Sequence, residues 1–339
     1  MTLIVTTKVG QHRNEAICFA ADSRETMSML FLGMPFEQHY DRAQKIYPIK
    51  NSDFAVTISG QITYYPEPSL SKTIRVDRKL RQLPRKIRYK LSSSNNPSDE
   101  LVSYLNSSLP FQTTLMEMEK RIKDRLGIKD VYQSTEYLVT DDEKSVVVIY
   151  RNKSGEIKQI KEPLVTGLVM GGFNKDAAPF LSKWMLGNKE NRVGEQLECQ
   201  FDMDSFGVVP NGISSAIEWV FKASNEDIEK LIANMSLCET LKHEAVKVKQ
   251  VIYELKALQK SKESWQNLDA KDALECMKKM IELTSILRDQ YFIDLILALK
   301  PLPDQPSLIG GPPQLGYIKA GEGFKWKANN FSWWHKVFT

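Results

Sequence analysis

The second residue of the chain, Thr2, could act as a nucleophile if it carried a free amine. A terminal threonine attacks an amide carbonyl with its hydroxyl, while its own α-amino group accepts the proton directly or through a water. That amine titrates at about pH 7.7 to 8, so a substantial fraction is neutral at physiological pH. The chemistry requires removal of Met1, because an amide nitrogen is not a base. A small residue such as threonine permits ordinary methionine removal, so we expect that no long propeptide is needed.

The histidines and cysteines indicate no second catalytic or metal-binding pattern. They lie far apart, without a CxxC pair or zinc-ligand spacing. These residues are His12, His39, His243, His335, Cys18, Cys199, Cys238 and Cys276. We therefore expect no metal and no cofactor, and we interpret the cysteines as the reduced residues of a cytoplasmic protein.

The elements that must position Thr2 are predicted to be strands over the first sixty residues. Apolar and β-branched segments separated by polar turns predict two hairpins. Their strands are predicted at 2–9, 16–21, 45–49 and 54–59, with Asp22 ending the second strand and Gly60 ending the fourth.

Helices and further strands are predicted from the remaining apolar patterns. The predicted helices cover 98–106, 113–126, 176–186, 213–222, 225–258 and 270–300. The predicted later strands cover 136–139, 145–150, 157–160 and 165–170, with a closing pair at 309–318 and 324–326. Residues 62–98 are basic and rich in proline, serine and asparagine, which favours a long surface excursion.

Four motifs follow one another near the start of the chain: Thr2-Leu-Ile-Val, CFAADSR at 18–24, QKIYPI at 44–49 and VTISG at 56–60. Together they resemble the opening of proteasome β-type subunits and their bacterial relatives, which are N-terminal-nucleophile (Ntn) hydrolases. The later segments LVTDDEKSVVVIYRNKSGEI, VMGGFNKDAAPFL and SLIGGPPQLGYIKAGEGFKW resemble this family's middle hairpin, its glycine-rich entry to the third helix and its final strand pair. The resemblance covers a little over half of the chain.

The resemblance implies an α+β fold, the Ntn-hydrolase αββα sandwich of two antiparallel sheets. We expect one such domain over 1–339, with a basic, loop-rich insertion at 62–98 and a helical insertion at 225–300. The implied activity is that of a threonine-type amidohydrolase or peptidase acting on a peptide or small amide. Members of the family stack as rings, so the resemblance also implies a homo-oligomer.

The resemblance further implies roles for four residues. Lys45 would stand beside the Thr2 hydroxyl, its charge favouring the deprotonated oxygen. Asp22 would hold this lysine through a charge-assisted hydrogen bond, and Arg24 would brace the loop. The backbone N–H of Gly60 would face the developing oxyanion.

The sequence departs from the family in three places. The catalytic serine of the glycine-rich segment has no match, and the late Asp-x-x-Ser pair corresponds only to Asp304 and Ser307, two residues too early. The first hairpin is also longer by four residues, so the family spacing from Asp22 leads to Thr6. We prefer Thr2, because an apolar strand follows Thr2 directly.

Charge and composition constrain the partners. The 46 basic and 42 acidic residues give a formal net charge of +4, so we expect neither nucleic acid nor a membrane as partner. The N-terminal segment has no basic leader before an apolar stretch, and the apolar run at 291–299 is too short to span a bilayer. The basic segment 72–90 favours a solvated surface over an anion-binding one, and the aromatic residues at 326–338 predict a packed tail.

A non-catalytic protein of the same fold is the alternative hypothesis. Such a protein would use the sandwich for assembly or partner binding, with the helical segment at 225–300 as its contact surface. Fold does not determine function. Retention of Met1 would favour this alternative, and a Thr2 that reacts with an electrophile would favour the enzyme.

Overall fold

The structure, a computed structural model, is a mixed α+β arrangement with several antiparallel sheets. It describes residues 3–10, 15–31, 34–41, 43–60, 62–66, 73–126, 134–139, 144–151, 154–164, 166–186, 208–212, 215–259, 267–303, 307 and 309–328.

Sixteen strands occur in the described residues. They are β1 (Leu3–Val9), β2 (Ala16–Ala21), β3 (Glu25–Phe31), β4 (Met34–Tyr40), β5 (Ile46–Pro48), β6 (Phe54–Gly60), β7 (Thr63–Tyr64), β8 (Ile74–Arg75), β9 (Ser134–Val139), β10 (Lys144–Arg151), β11 (Ile157–Pro163), β12 (Thr166–Phe173), β13 (Pro179–Leu186), β14 (Val208–Gly212), β15 (Gln314–Lys319) and β16 (Gly323–Ala328). The two hairpins and the closing strand pair predicted from the sequence are confirmed.

The helices fall into two groups along the chain. The first group contains α1 (Val76–Arg81), α2 (Arg85–Ser92), α3 (Pro97–Ser108) and α4 (Phe111–Leu126). The second contains α5 (Ser215–Lys222), α6 (Asn225–Leu237), α7 (Ala245–Gln259), α8 (Ala270–Leu287) and α9 (Gln290–Leu297).

The first large sheet has the strand order β14-β1-β2-β15-β16 and packs one face on the second group of helices. Side chains alternate between the faces of a strand, so Leu3 and Val5 of β1 point to the same side as Cys18 of β2. All three are fully buried in one cluster with apolar residues of α5 to α9.

The second large sheet has the order β13-β12-β6-β5 and packs one face on the first group of helices. Phe54, Val56 and Ile58 of β6 lie in this cluster. Leu101 of α3 and Leu115 of α4 cover them from the helical side.

The remaining faces of the two sheets meet in a third apolar cluster. Ile4 and Phe19 of the first sheet share this cluster with Ala55 of the second. Gly171 permits the close approach, because a Cβ there would lie 2.8 Å from the Ile17 side chain. The two sheets therefore face each other, with helices packed on the outer side of each.

Two predictions of secondary structure are wrong. Residues 62–98, expected to be loop-rich, contain β7, β8, α1, α2 and the start of α3. Leu80, Ile87 and Leu91 anchor these helices, and most of the basic residues occupy their exposed faces. The helix predicted over 176–186 is instead β13, which pairs with β12. A strand flanked on both faces gives a nearly continuous apolar run, which periodicity alone does not distinguish from a buried helix.

Two long predicted helices are each divided. Residues 225–258 form α6 and α7, separated by a turn over 238–244. Residues 270–300 form α8 and α9, separated where Arg288 adopts a φ of 55° and Asp289 accepts a hydrogen bond from Phe292 N at 2.8 Å. The Asp289 side chain thereby caps α9, which a periodicity argument overlooks.

None of the described helices has the length and apolar character needed to cross a membrane.

Candidate functional site

The ends of five strands meet at one edge of the two facing sheets. Leu3 begins β1, Asp22 follows β2, Lys45 precedes β5, Gly60 ends β6 and Gln314 begins β15. Asp22 N donates to Leu3 O at 3.1 Å, and Ile58 N donates to Lys45 O at 3.3 Å. Antiparallel pairing thus brings residues distant in sequence to a common edge.

A buried ion pair joins the two sheets at this edge. Lys45 Nζ lies 2.8 Å from Asp22 Oδ1, and the side chains are 6% and 0% exposed. Lys45 Nζ also donates to Arg24 O at 2.5 Å. The same Asp22 Oδ1 accepts a hydrogen bond from Leu3 N at 2.9 Å. One carboxylate oxygen therefore holds both the lysine and the first described peptide nitrogen of the chain.

The other oxygen of Asp22 is bound by backbone. Asp22 Oδ2 accepts from Arg24 N at 3.2 Å and from Gly310 N at 3.4 Å. Burial raises the pKa of Asp22, whereas Lys45 and the backbone N–H groups of Leu3 and Gly310 oppose that rise. A buried carboxylate requires such compensation, so the charge of Lys45 is what makes ionised Asp22 tolerable here.

Arg24 fastens the loop that follows β2. Its Nε and Nη2 donate to the two carboxylate oxygens of Asp41 at 2.6 and 2.8 Å, and its Nη1 donates to Ser307 O at 2.6 Å. The hydrogen bond to Asp41 raises the pKa of Arg24. Gly310 packs against the guanidinium, since a Cβ there would lie 2.7 Å from Arg24 Cζ. Arg24 thus positions the backbone carbonyl that binds Lys45.

Gln314 is a part of the site that the sequence did not suggest. Its Oε1 accepts from Lys45 N at 3.1 Å and its Nε2 donates to Ala43 O at 2.5 Å. The side chain is 1% exposed. Gln314 therefore fixes the backbone on which Lys45 stands. The available signal was a polar residue at the start of the strand QLGYIK, directly before Leu, Gly, Tyr and Ile.

Asp41 and Ser23 were also missed. Asp41 binds Arg24 through its carboxylate, and its carbonyl accepts from Ser23 Oγ at 2.8 Å. No motif marked Asp41, because it contacts Arg24 across the intervening β3–β4 hairpin.

Gly60 lies at the same edge, on the strand next to β5. Its φ is 76°, a left-handed conformation that favours glycine. It is exposed and is the register partner of Thr166. Thr166 Oγ1 lies 2.7 Å from Tyr64 OH, and burial raises the pKa of Tyr64 to about 12. This contact ties β7 to the start of β12.

Three other candidate residues have different outcomes. Thr2 and Asp304 lie outside the described residues. Ser307 is described: its Oγ accepts from Ile309 N at 3.2 Å and its carbonyl accepts from Arg24. Ser307 therefore supports the loop that contains Arg24, and it is connected to the Lys45–Asp22 pair through Arg24.

Thr6, the alternative nucleophile, lies in the interior of β1. It is fully buried and pairs with Val209 on one side and Phe19 on the other. Its Oγ1 has no hydrogen-bond partner among the described residues. A chain beginning at Thr6 would lack Leu3, whose N–H binds Asp22. The ion pair therefore adjoins Leu3 N, the nitrogen through which residue 2 is bonded to the described chain.

The site combines three parts: the buried ammonium group of Lys45, the exposed Gly60 in a left-handed conformation, and Leu3, whose N–H binds Asp22, the ion-pair partner of Lys45. In the parts of the chain that the structure covers, no cluster of three or more His, Cys, Asp and Glu side chains is arranged to hold a metal ion. The arrangement suits polarisation of a hydroxyl next to Leu3. Neither the models of known protein families nor the curated proteins gave a match to this chain.

Proposed function

We propose that the protein is an Ntn hydrolase of the proteasome β-subunit type, which cleaves amide bonds with Thr2 after removal of Met1. The observation that carries the proposal is the shared oxygen of Asp22, which binds Lys45 Nζ at 2.8 Å and Leu3 N at 2.9 Å. Residue 2 is covalently bonded to that nitrogen. In this proposal the Thr2 hydroxyl reacts beside the buried Lys45 ammonium group.

The packing of the layers supports the same proposal. Two antiparallel sheets face each other, and helices pack on both outer faces. This order corresponds to the αββα sandwich that the resemblance implies. The proposed site lies at an edge where strand ends from both sheets meet, so side chains from either sheet can reach one substrate bond.

The proposed reaction has two steps. The Thr2 hydroxyl attacks the amide carbonyl and gives its proton to the Thr2 amine, while Lys45 stabilises the developing oxygen charge. The Gly60 N–H donates to the oxyanion. The C–N bond of the substrate then breaks, the substrate's amine leaves with the proton from the Thr2 amine, and an acyl ester remains on the Thr2 oxygen. In the second step water attacks this ester, the ester C–O bond breaks, the acyl group leaves as a carboxylic acid, and the free threonine is restored.

The substrate is a peptide or small amide, and the assembly is a homo-oligomer. Both statements rest on the resemblance of the sequence to the family. Because members of the family stack as rings, we expect a solution mass that is a multiple of the chain mass.

Labelling with an epoxyketone or β-lactone probe tests the proposal. We expect one adduct per chain in the native protein, retention of labelling in Thr2→Ser, and loss in Thr2→Ala. Thr73→Ala, which removes an exposed threonine, is the matched control and should label normally. Labelling that persists in Thr2→Ala would contradict the proposal.

A non-catalytic member of the fold is the second candidate. The observation that favours it is that every described contact of Asp22 and Arg24 also joins strand ends or loops, and such contacts stabilise the fold without chemistry. Retained Met1 together with an unreactive Thr2 would establish this candidate instead.

A further inference from the structure

The positive charge of the molecule is concentrated on two short helices. Residues 75–92, which include α1 and α2, contain eight basic residues and one acidic residue, a net charge of +7. The whole chain has 46 basic and 42 acidic residues and a net charge of +4. The rest of the chain therefore has a net charge of −3. Such asymmetry produces a local positive potential that the overall charge conceals.

Half of these cations are already engaged within the fold. Arg75 and Arg81 bind Asp77, with N–O distances of 2.9 and 3.8 Å. Lys90 pairs with Glu100. The Lys79 ammonium lies 5.9 Å from the centre of the Tyr104 ring. Arg75 and Arg81 thus bind a residue of α1 itself, whereas Lys79 and Lys90 connect α1 and α2 to α3. A partner could bind these four cations only with loss of those contacts.

The other four are Arg78 on α1 and Arg85, Lys86 and Arg88 on α2, which we call the basic face. None of them forms an ion pair with the residues that the structure describes. Arg88 Nε is buried and has no acceptor within that part of the chain.

Helical spacing places Tyr89 at the centre of the basic face. Tyr89 follows Arg85 by four positions and Lys86 by three, so the three side chains share one side of α2. The Tyr89 side chain is 74% exposed, whereas Ile87 and Leu91 pack on the opposite side against the core. An exposed ring surrounded by cations provides an apolar contact together with a donor.

We propose that the basic face binds an acidic segment of a partner protein. Carboxylates match the forked donors of Arg78, Arg85 and Arg88, and an adjacent apolar side chain of the partner would cover Tyr89. The inference does not depend on the proposed hydrolase activity, because the basic face lies on the helices and not at the Lys45 edge.

The surroundings of the basic face favour a peptide over nucleic acid. The helix α2 has eight residues and is about 12 Å long. Asp99 and Glu100 at the start of α3 lie next in the chain and carry negative charge. Glu100 already pairs with Lys90, and α3 contains no lysine or arginine. A nucleic-acid backbone longer than α2 would therefore gain no further cation from α3, whereas a short acidic segment needs none.

Fluorescence anisotropy with a labelled peptide of alternating glutamate and leucine tests the proposal. We expect binding that weakens as NaCl is raised, and no binding of the same peptide with glutamine in place of glutamate. The triple variant Arg78→Gln/Arg85→Gln/Lys86→Gln should bind about tenfold more weakly. The matched control Lys222→Gln/Lys230→Gln/Lys271→Gln removes three exposed charges elsewhere and should bind as the native protein does.

Three results would overturn the proposal. The first is equal binding by the triple variant and the native protein. The second is equal binding of the glutamine and glutamate peptides. The third is tighter binding of an oligothymidine of the same length, which would assign the basic face to single-stranded nucleic acid.

Discussion

Lys45 and Asp22 stabilise each other because each would otherwise be a buried charge without compensation. Their side chains are 6% and 0% exposed, so solvent screens the pair very little. Removal of one partner of such a pair costs much more than removal of both, since it leaves an isolated charge. The ion pair with Asp22 also fixes the position of the Lys45 ammonium group, which any role of that group in catalysis would require.

Substitution of the lysine alone should therefore destabilise the fold strongly. We expect Lys45→Met to lower the free energy of unfolding by about 3 kcal/mol, measured by urea denaturation. The double variant Asp22→Asn/Lys45→Met should recover part of this loss. Lys325→Met, which breaks an exposed pair with Glu322, should leave the unfolding midpoint unchanged. A double variant less stable than Lys45→Met would show that the isolated Asp22 charge is not what destabilises the single variant.

The effect of Lys45→Met should also depend on pH. Without the lysine, burial raises the pKa of Asp22 with less opposition. A carboxyl whose pKa is higher in the folded than in the unfolded state stabilises the fold below its unfolded pKa. That contribution is lost as the pH rises through the folded pKa. The difference in stability between Lys45→Met and native protein should therefore shrink as the pH falls from neutral towards 4, and a growing difference would be inconsistent with this view.

The sequence predicted some of the individual residues of the site. Asp22, Arg24 and Lys45 stand in short motifs, and the structure brings these three residues together. Gln314 was missed because it contacts Lys45 across 269 positions of the chain. Such a contact exists only after two sheets have packed, and no local pattern encodes it.

The loop before β15 contains Gly310 and Gly311 and packs against Arg24 and Ser23. Gly311 has a φ of 71°, and a Cβ there would lie 2.4 Å from Ser23 Oγ. Gly321, in the β15–β16 turn, has a nearly identical φ of 72° but no atom within 4 Å of such a Cβ. Both glycines thus have a left-handed backbone, but of the two only Gly311 is also closely packed.

Alanine at these two positions should have different costs. We expect Gly321→Ala to cost about 1 kcal/mol, from the left-handed backbone alone. Gly311→Ala should cost about 3 kcal/mol, because the side chain also displaces Ser23. Thermal and urea unfolding of both variants measure the difference. Equal costs would show that packing around Gly311 is not tight.

Most elements followed from their sequence patterns, and the exceptions have physical causes. The strand β13 resembled a helix because both of its faces are covered. The basic helices α1 and α2 resembled a loop because their core side is narrow, with Leu80, Ile87 and Leu91 as the main anchors. Packing, which a single sequence does not display, decided both cases.

The two facing sheets are joined by polar contacts at both ends. At the proposed site, Gln314 bonds the backbone of Lys45 and Ala43. At the opposite end, Asp53 in the β5–β6 turn accepts from Gly321 N at 2.7 Å and Gly323 N at 3.1 Å. The relative placement of the sheets is thus specified twice, and only one of the two contacts adjoins Lys45.

These two contacts provide a matched pair of variants. We expect Gln314→Ala and Asp53→Ala each to lower the free energy of unfolding by about 2 kcal/mol. Only Gln314→Ala should slow labelling by an electrophilic probe, by about tenfold or more, because it alone disturbs the position of Lys45. Equal labelling rates in both variants would exclude a positioning role for Gln314.

The intact mass of the native protein, before and after reaction with an epoxyketone probe, shows whether Thr2 is a free nucleophile. We expect a chain that lacks Met1 and gains a single adduct, which peptide mapping assigns to Thr2. A chain that retains Met1 and gains no adduct would contradict the hydrolase and favour the non-catalytic alternative. A chain cleaved before Thr6 would contradict the assignment of the nucleophile to Thr2.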